Sequence, residues 1–80
     1  MSIALHILSP EGELVQTEVS LVTLPGVAGP FTVLQDHDAL VTALEKGSIR
    51  YVEGDQEQFL PIREGFVEVR NNSVICCVEV

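Results

Sequence analysis

Apolar and polar residues alternate along nearly the whole chain, and Gly, Pro or Asn cuts the alternation every few residues. A period of two sends successive side chains to opposite faces, so this pattern encodes strands with one buried face; the interruptions leave no room for a long element. Ile3, Leu5 and Ile7 share one face of a first strand, with His6 on the other, and Ser9-Pro10-Glu11-Gly12 supplies the turn. Residues 14–24 are rich in β-branched side chains and read as one long strand, with Val15, Val19 and Leu21 on the core face. Their length calls for a bend or bulge near Thr17-Glu18. Pro25-Gly26-Val27-Ala28-Gly29-Pro30 is a loop, because two Pro and two Gly in six positions cannot sustain a ladder.

Phe31 and Val33 then point inward in a short strand, and Gln35-Asp36-His37-Asp38 makes a polar crossing. Residues 39–46 are ambiguous. Leu40, Ala43 and Leu44 fit one or two helical turns, whereas Val41 and Thr42 favour extended chain. Residues 48–53 form a strand, Gly54-Asp55 a turn, and residues 58–62 the returning strand, with Pro61 placing it on an edge or at a bulge. Residues 66–70 and 73–80 flank Asn71-Asn72, two residues that tolerate positive φ, which signals a hairpin. The sum is eight to ten short strands in a single all-β domain, a sandwich or barrel.

Charge narrows the partners. Four Lys and Arg against twelve Asp and Glu give the 80 residues a formal charge of −8. Phosphate backbones and anionic lipid both demand a surplus of cations, so nucleic acid is excluded as a partner. No apolar run reaches bilayer-spanning length, and direct membrane insertion is not expected. Cys76 and Cys77 are adjacent; in a strand they face opposite ways, which suits one buried and one exposed thiol rather than a disulfide or metal clip.

An enzyme would have to be built from His6, His37, Asp36, Asp38, Cys76 and Cys77. Asp36-His37-Asp38 offers carboxylates beside an imidazole, yet consecutive loop residues do not converge as a triad does, and no G-x-S-x-G nucleophile turn is present. The two histidines lack ligand spacing, so no metal is expected. His6, opposite the first strand's apolar face, is most simply a solvent-facing or hydrogen-bonded histidine. The glycines of the 25–30 loop lack the Lys-Ser/Thr tail of a phosphate cradle, and no cofactor is expected. Val27 and Ala28 at its tip, stiffened by flanking prolines, instead suit a contact with another protein at low entropic cost.

Three stretches carry a resemblance. Pro25-Gly26-Val27-Ala28-Gly29-Pro30-Phe31-Thr32-Val33-Leu34 parallels P-G-x-x-G-x-F-G-V-L. The run from Asp36-His37-Asp38-Ala39-Leu40 through Gly47-Ser48-Ile49-Arg50 parallels G-H-x-P-L-L-T-A-L-x-x-G-x-x-R. Glu64-Gly65-Phe66-Val67-Glu68-Val69 parallels G-G-F-x-E-V. On these motifs the chain resembles the N-terminal domain of the F-type ATP synthase epsilon subunit over essentially its whole length, and Ser9-Pro10-Glu11 resembles that family's first turn. Thr32, Asp36 and Ala39 depart from the family's Gly, Gly and Pro; Ala28 and Pro30 stand where acidic residues are common.

The resemblance implies a flattened ten-stranded β-sandwich in which residues 39–46 are extended. It implies a non-catalytic central-stalk subunit that links the gamma subunit to the membrane c-ring, peripheral to the cytoplasmic face of a bacterial inner membrane. The c-ring contact is expected at Pro25, Gly26, Val27, Ala28, Pro30 and Phe31, and the gamma contact at His37, Leu40, Val41 and Thr42, although a strand leucine such as Leu40 is more often core. Bacterial relatives continue into an inhibitory two-helix hairpin that these 80 residues do not contain, so that switch is expected to be absent if they are a complete, naturally short subunit. A partner-binding face left empty would also favour a homodimer of the isolated chain. Without the resemblance, the residues alone describe a stand-alone acidic β-sandwich that binds a small ligand or another protein, with an internal apolar pocket as its mark; a metal enzyme on His6 and His37 is the third reading.

Overall fold

A computed structural model describes residues 2–80 and shows nine strands in two sheets: β1 (Ile3–Ser9), β2 (Gly12–Val19), β3 (Leu21–Leu24), β4 (Phe31–Val33), β5 (Leu40–Leu44), β6 (Gly47–Glu53), β7 (Gln56–Ile62), β8 (Glu64–Arg70) and β9 (Ser73–Glu79). The five-stranded sheet runs β2-β1-β9-β8-β5 and the four-stranded sheet β4-β3-β6-β7. Facing each other, they make a sandwich with extents of 30 × 23 × 18 Å, flattened as the resemblance implies. Within residues 39–46, Leu40–Leu44 are extended, as β5, and none of the stretch is helical, which resolves the ambiguity that periodicity left open.

Alternation fills the space between the sheets. Ile3, Leu5 and Ile7 from β1, Val67 and Val69 from β8, and Val74, Cys76 and Val78 from β9 meet Val22, Leu24, Val33, Ile49 and Ile62 from the other sheet. Among the described residues no polar or charged residue is buried, and no buried side-chain polar atom lacks a partner. Such an interior is held by apolar burial alone, at about 25 cal/mol per Å².

The turn residues act as the sequence predicts. Asn71 (φ +53°) and Asn72 (φ +59°) both sit in the left-handed region, the geometry of a type I′ hairpin whose twist matches its strands. Gly54 takes φ +61° in the β6–β7 turn. Pro61 lies on β7, an edge strand, where its missing N–H breaks no interior ladder.

The 14–24 segment departs from expectation. It is two strands in different sheets, broken at Ser20, whose N–H donates to the Val52 carbonyl at 2.9 Å. Turning that corner shifts the phase of burial. Val15 packs against the core and Val19 is buried in it, as expected, but beyond the corner Val22 and Leu24 turn inward while Leu21 is only half-buried. The irregularity in β2 also lies earlier than Thr17-Glu18: the β1–β2 register slips between Ile7, opposite Val15, and Leu8, opposite Glu13. Cys76 is fully buried and Cys77 half-buried on the opposite face.

Candidate functional site

The two outer faces of the sandwich differ in chemistry. On the four-stranded sheet, Thr32, Thr23, Arg50 and Phe59 stand opposite one another in turn. Three of these four are polar and bonded to each other or nearby: the Thr23 and Thr32 hydroxyls are 2.9 Å apart, Arg50 Nη1 donates to Thr23 Oγ1, and Arg50 pairs with Glu57. On the five-stranded sheet, register aligns Ala43, Phe66, Cys77 and Leu8 in one rung across four strands. The neighbouring rung runs Val41, Glu68, Ile75 and His6. Val41 is 72% exposed and Phe66 57% exposed, so this face presents apolar surface to solvent.

The first of these rungs borders a groove at one end of this sheet. Leu8, Phe66 and Cys77 contribute apolar wall, Ser9 and Pro10 one rim, and Glu64 and Glu79 a carboxylate pair opposite each other on the ladder, around a cavity of about 460 Å³. Gly65 permits the close approach of β8 and β9 here. A Cβ at that position would overlap the Cys77 carbonyl oxygen and lie 2.9 Å from Val78 Cα. Burial, with the neighbouring Cys77 adding to it, pushes the Cys76 thiol up to about 12, which keeps it protonated and inert beneath the face.

The 25–30 loop lies at this same end. Val27 N–H donates to the Ala43 carbonyl and Glu45 N–H to the Pro25 carbonyl, so the loop pairs with the end of β5 through a Gly26–Leu44 bridge. A Gly29 N–H to Gly26 carbonyl bond of 2.9 Å closes a tight turn with Val27 and Ala28 at its exposed tip. Gly26 is buried against the ring of half-buried Phe31, leaving no room for a side chain. Pro30 is exposed beside Phe31. Residues 25–31 therefore form one structured, partly apolar projection.

The residues 37–42 do not form one patch. His37 lies at the opposite end, after a turn closed by its own N–H to the Leu34 carbonyl, and its Nδ1 is 2.7 Å from the Asp38 carbonyl oxygen. Val41 points outward from β5. Leu40 and Thr42 alternate to the inner face, half-buried, and Leu40 packs against the core. His6 Nδ1 sits 3.0 Å from Glu13 Oε2 on the sheet surface. Among the described residues no three His, Cys, Asp or Glu side chains gather as a metal-ligand set. The His6–Glu13 pair has no nucleophile beside it among the hydrogen bonds of the described residues.

Leu8, Phe66, Ile75 and Cys77 belong to the apolar face and were not among the residues read as contacts. One signal was present: Val74-Ile75-Cys76-Cys77-Val78 is an unbroken apolar run, the mark of a strand covered on both faces.

Known proteins place this architecture. Residues 2–80 match the family model described as ATP synthase, Delta/Epsilon chain, beta-sandwich domain. The ATP synthase epsilon chain of Anaeromyxobacter sp. (strain K) is 40% identical over 75 residues, covering 94% of this chain and 57% of that relative. The Lawsonia intracellularis epsilon chain is 37% identical over 78 residues, 98% of this chain and 59% of the relative. This chain thus spans a little over half the length of these curated relatives. Among solved structures, a chain of the Euglena gracilis mitochondrial ATP synthase superposes with a TM-score of 0.89 at 24% identity, over 96% of this chain and 50% of that one. A chain of the Tetrahymena thermophila mitochondrial ATP synthase central stalk and c-ring gives 0.83 at 14%, over 100% and 65%. These two likenesses establish the fold. From Ser2 to Val80, the chain belongs to the family of ATP synthase delta/epsilon β-sandwich domains.

Proposed function

We propose that this chain serves as the non-catalytic central-stalk element of an F-type ATP synthase, joining the gamma subunit to the c-ring and carrying rotation between them. The match of residues 2–80 to the family of ATP synthase delta/epsilon β-sandwich domains carries the reading. Two structural features support it. A linker that transmits torque must be stiff, and the interior here is a continuous apolar core with no unsatisfied buried side-chain group among the described residues. It must also grip two partners, and the chain offers an apolar sheet face together with a braced loop at one end.

In this reading the outward face of the five-stranded sheet, with Val41, Phe66 and Ile75, lies against gamma, and His37 marks one end of that contact. Leu40 contributes through the core rather than by touching the partner. The loop tip of Val27 and Ala28, with Pro25, Gly26, Pro30 and Phe31 behind it, meets the polar loops of the c-ring. The formal charge of −8 favours basic partner surfaces and speeds encounter more than it raises affinity. The working location is the cytoplasmic face of a bacterial inner membrane, held by protein contacts; no helix among the described residues is long and apolar enough to cross a membrane. Gamma on the apolar face and a second copy of this chain would compete, so a homodimer would belong to the isolated chain.

The stand-alone binding reading asks for a pocket within the core, whereas the cavity of about 460 Å³ is a groove on the outer sheet surface. Cysteine cross-linking tests the proposal. In a Cys77→Ala background, Val27→Cys is expected to link to the c subunit and Val41→Cys to gamma. No link from either position, in membranes that hold intact synthase, would overturn it.

A further inference from the structure

The three non-glycine residues with positive φ among the described residues are Asp36 (+65°), Asn71 (+53°) and Asn72 (+59°), and two of them, Asp36 and Asn72, are bonded to each other. Asn71 and Asn72 turn the β8–β9 hairpin; Asp36 belongs to the crossing between β4 and β5. The His37 N–H to Leu34 carbonyl bond of 3.2 Å makes residues 34–37 a β-turn. Asp36 is its third residue, and positive φ there is a demand that Gly or Asn meets more cheaply than Asp. Something must hold Asp36 in place. The Asn72 side chain does so twice: its Oδ1 accepts the Asp36 N–H at 2.6 Å, and its Nδ2 donates to Asp36 Oδ1 at 3.2 Å. The Asn72 carbonyl in turn accepts the Ala4 N–H at 2.9 Å, anchoring the contact to β1 in the five-stranded sheet.

The next residue is His37. Its Nδ1 lies 2.7 Å from the Asp38 carbonyl oxygen, which can only accept, so Nδ1 carries a proton and, in the neutral ring, Nε2 is the acceptor. His37 follows Asp36 directly, so the conformation held at Asp36 sets the direction in which the chain enters that residue.

We propose that Asn72 is a positioning residue for the His37 loop: by clamping Asp36 in its left-handed conformation it fixes which nitrogen His37 presents to a hydrogen-bond donor on the gamma subunit. This rests on the reading of His37 as part of the gamma contact. Strain held by surrounding structure at a recognition loop is a form of pre-organisation, and its loss is expected to lower affinity without unfolding the domain.

Asn72→Gly isolates the side chain, because glycine accepts the hairpin's positive φ. Two readouts follow: long-range ¹H–¹⁵N NMR of the His37 ring in the 80-residue chain, and titration of the chain with purified gamma subunit. The expected result for N72G is a mixed His37 tautomer and about fivefold weaker gamma binding, the scale of one net hydrogen bond. Asp36→Gly removes the need for the clamp, so N72G in a D36G background is expected to bind as D36G does. A His37 ring signature unchanged in N72G, in a chain whose His37→Ala variant does lose affinity, overturns the clamp alone. A His37→Ala variant that binds gamma normally overturns the contact reading, whatever N72G does to the ring.

Discussion

Phe66 and Phe59 allow the two outer faces to be compared directly. They are 57% and 59% exposed, on the five-stranded and four-stranded sheets respectively. A phenylalanine carries about 200 Å² of surface, so about 110 Å² of Phe66 remains to be covered by a partner. At ~25 cal/mol per Å² that is worth ~2.8 kcal/mol, of which an alanine methyl retains a part, leaving a loss of ~2 kcal/mol for Phe66→Ala. Since ~1.4 kcal/mol is tenfold in Kd, the gamma affinity is expected to fall about 30-fold. The share already packed against the sheet costs the free chain about 1–2 kcal/mol of stability in either variant, a lowering of Tm by roughly 5–15 °C. Phe59→Ala therefore controls for stability. Titration calorimetry against purified gamma, well below both Tm values, decides the matter. Equal losses of affinity for F66A and F59A, or none for F66A, would refute the assignment of the five-stranded face.

Other variants probe the fold and its ends. Gly65→Ala forces β8 from β9 at the Cys77 carbonyl and is expected to cost about 2–3 kcal/mol, lowering Tm by roughly 10–20 °C in thermal melts; a drop under about 5 °C would contradict the packing described. Val27→Asp places a carboxylate on an exposed loop tip, so the melt should be unchanged while co-sedimentation with c-ring-containing membranes falls severalfold. Cys76 gives a pH signature. Its folded pKa is raised to about 12 from 9.0, so its contribution is complete below pH 9 and lost as pH rises towards 12. Urea unfolding between pH 9 and 10 is expected to show stability falling by up to ~1.4 kcal/mol per unit, a slope that Cys76→Ala reduces. An identical slope in the variant would remove that attribution.

Local chemistry made much of the fold legible. Asn71-Asn72 announced a hairpin because few residues tolerate two successive positive φ values, and Pro61 announced an edge because it cannot donate to a ladder. Ser20 carried no such mark. The chain changes sheets there, and a corner between sheets shifts the burial phase without needing a Gly or Pro, so beyond it Leu21 looked like core while Val22 and Leu24 took that place. Residues 39–46 were beyond periodicity, since Leu40, Ala43 and Leu44 fit helical turns while Val41 and Thr42 favour extended chain; only the resemblance made them a strand.

The candidate surface was less accessible for a different reason. The rung Ala43, Phe66, Cys77 and Leu8 exists because β9 pairs in parallel with β1, from the opposite end of the chain, and antiparallel with β8. Register between segments that distant is set by the assembled core and cannot be read locally. The 25–30 loop, by contrast, was legible as a stiff projection because its constraint lies within its own prolines and glycines.

The central claim is that this domain works as part of a rotor. It is tested most directly by affinity purification of the tagged 80-residue chain from detergent-solubilised native membranes, with quantitative mass spectrometry of what accompanies it. Recovery of gamma at one copy per chain, together with c, alpha and beta subunits, is the predicted result. Recovery of none of them, from membranes shown to contain intact synthase, would contradict it.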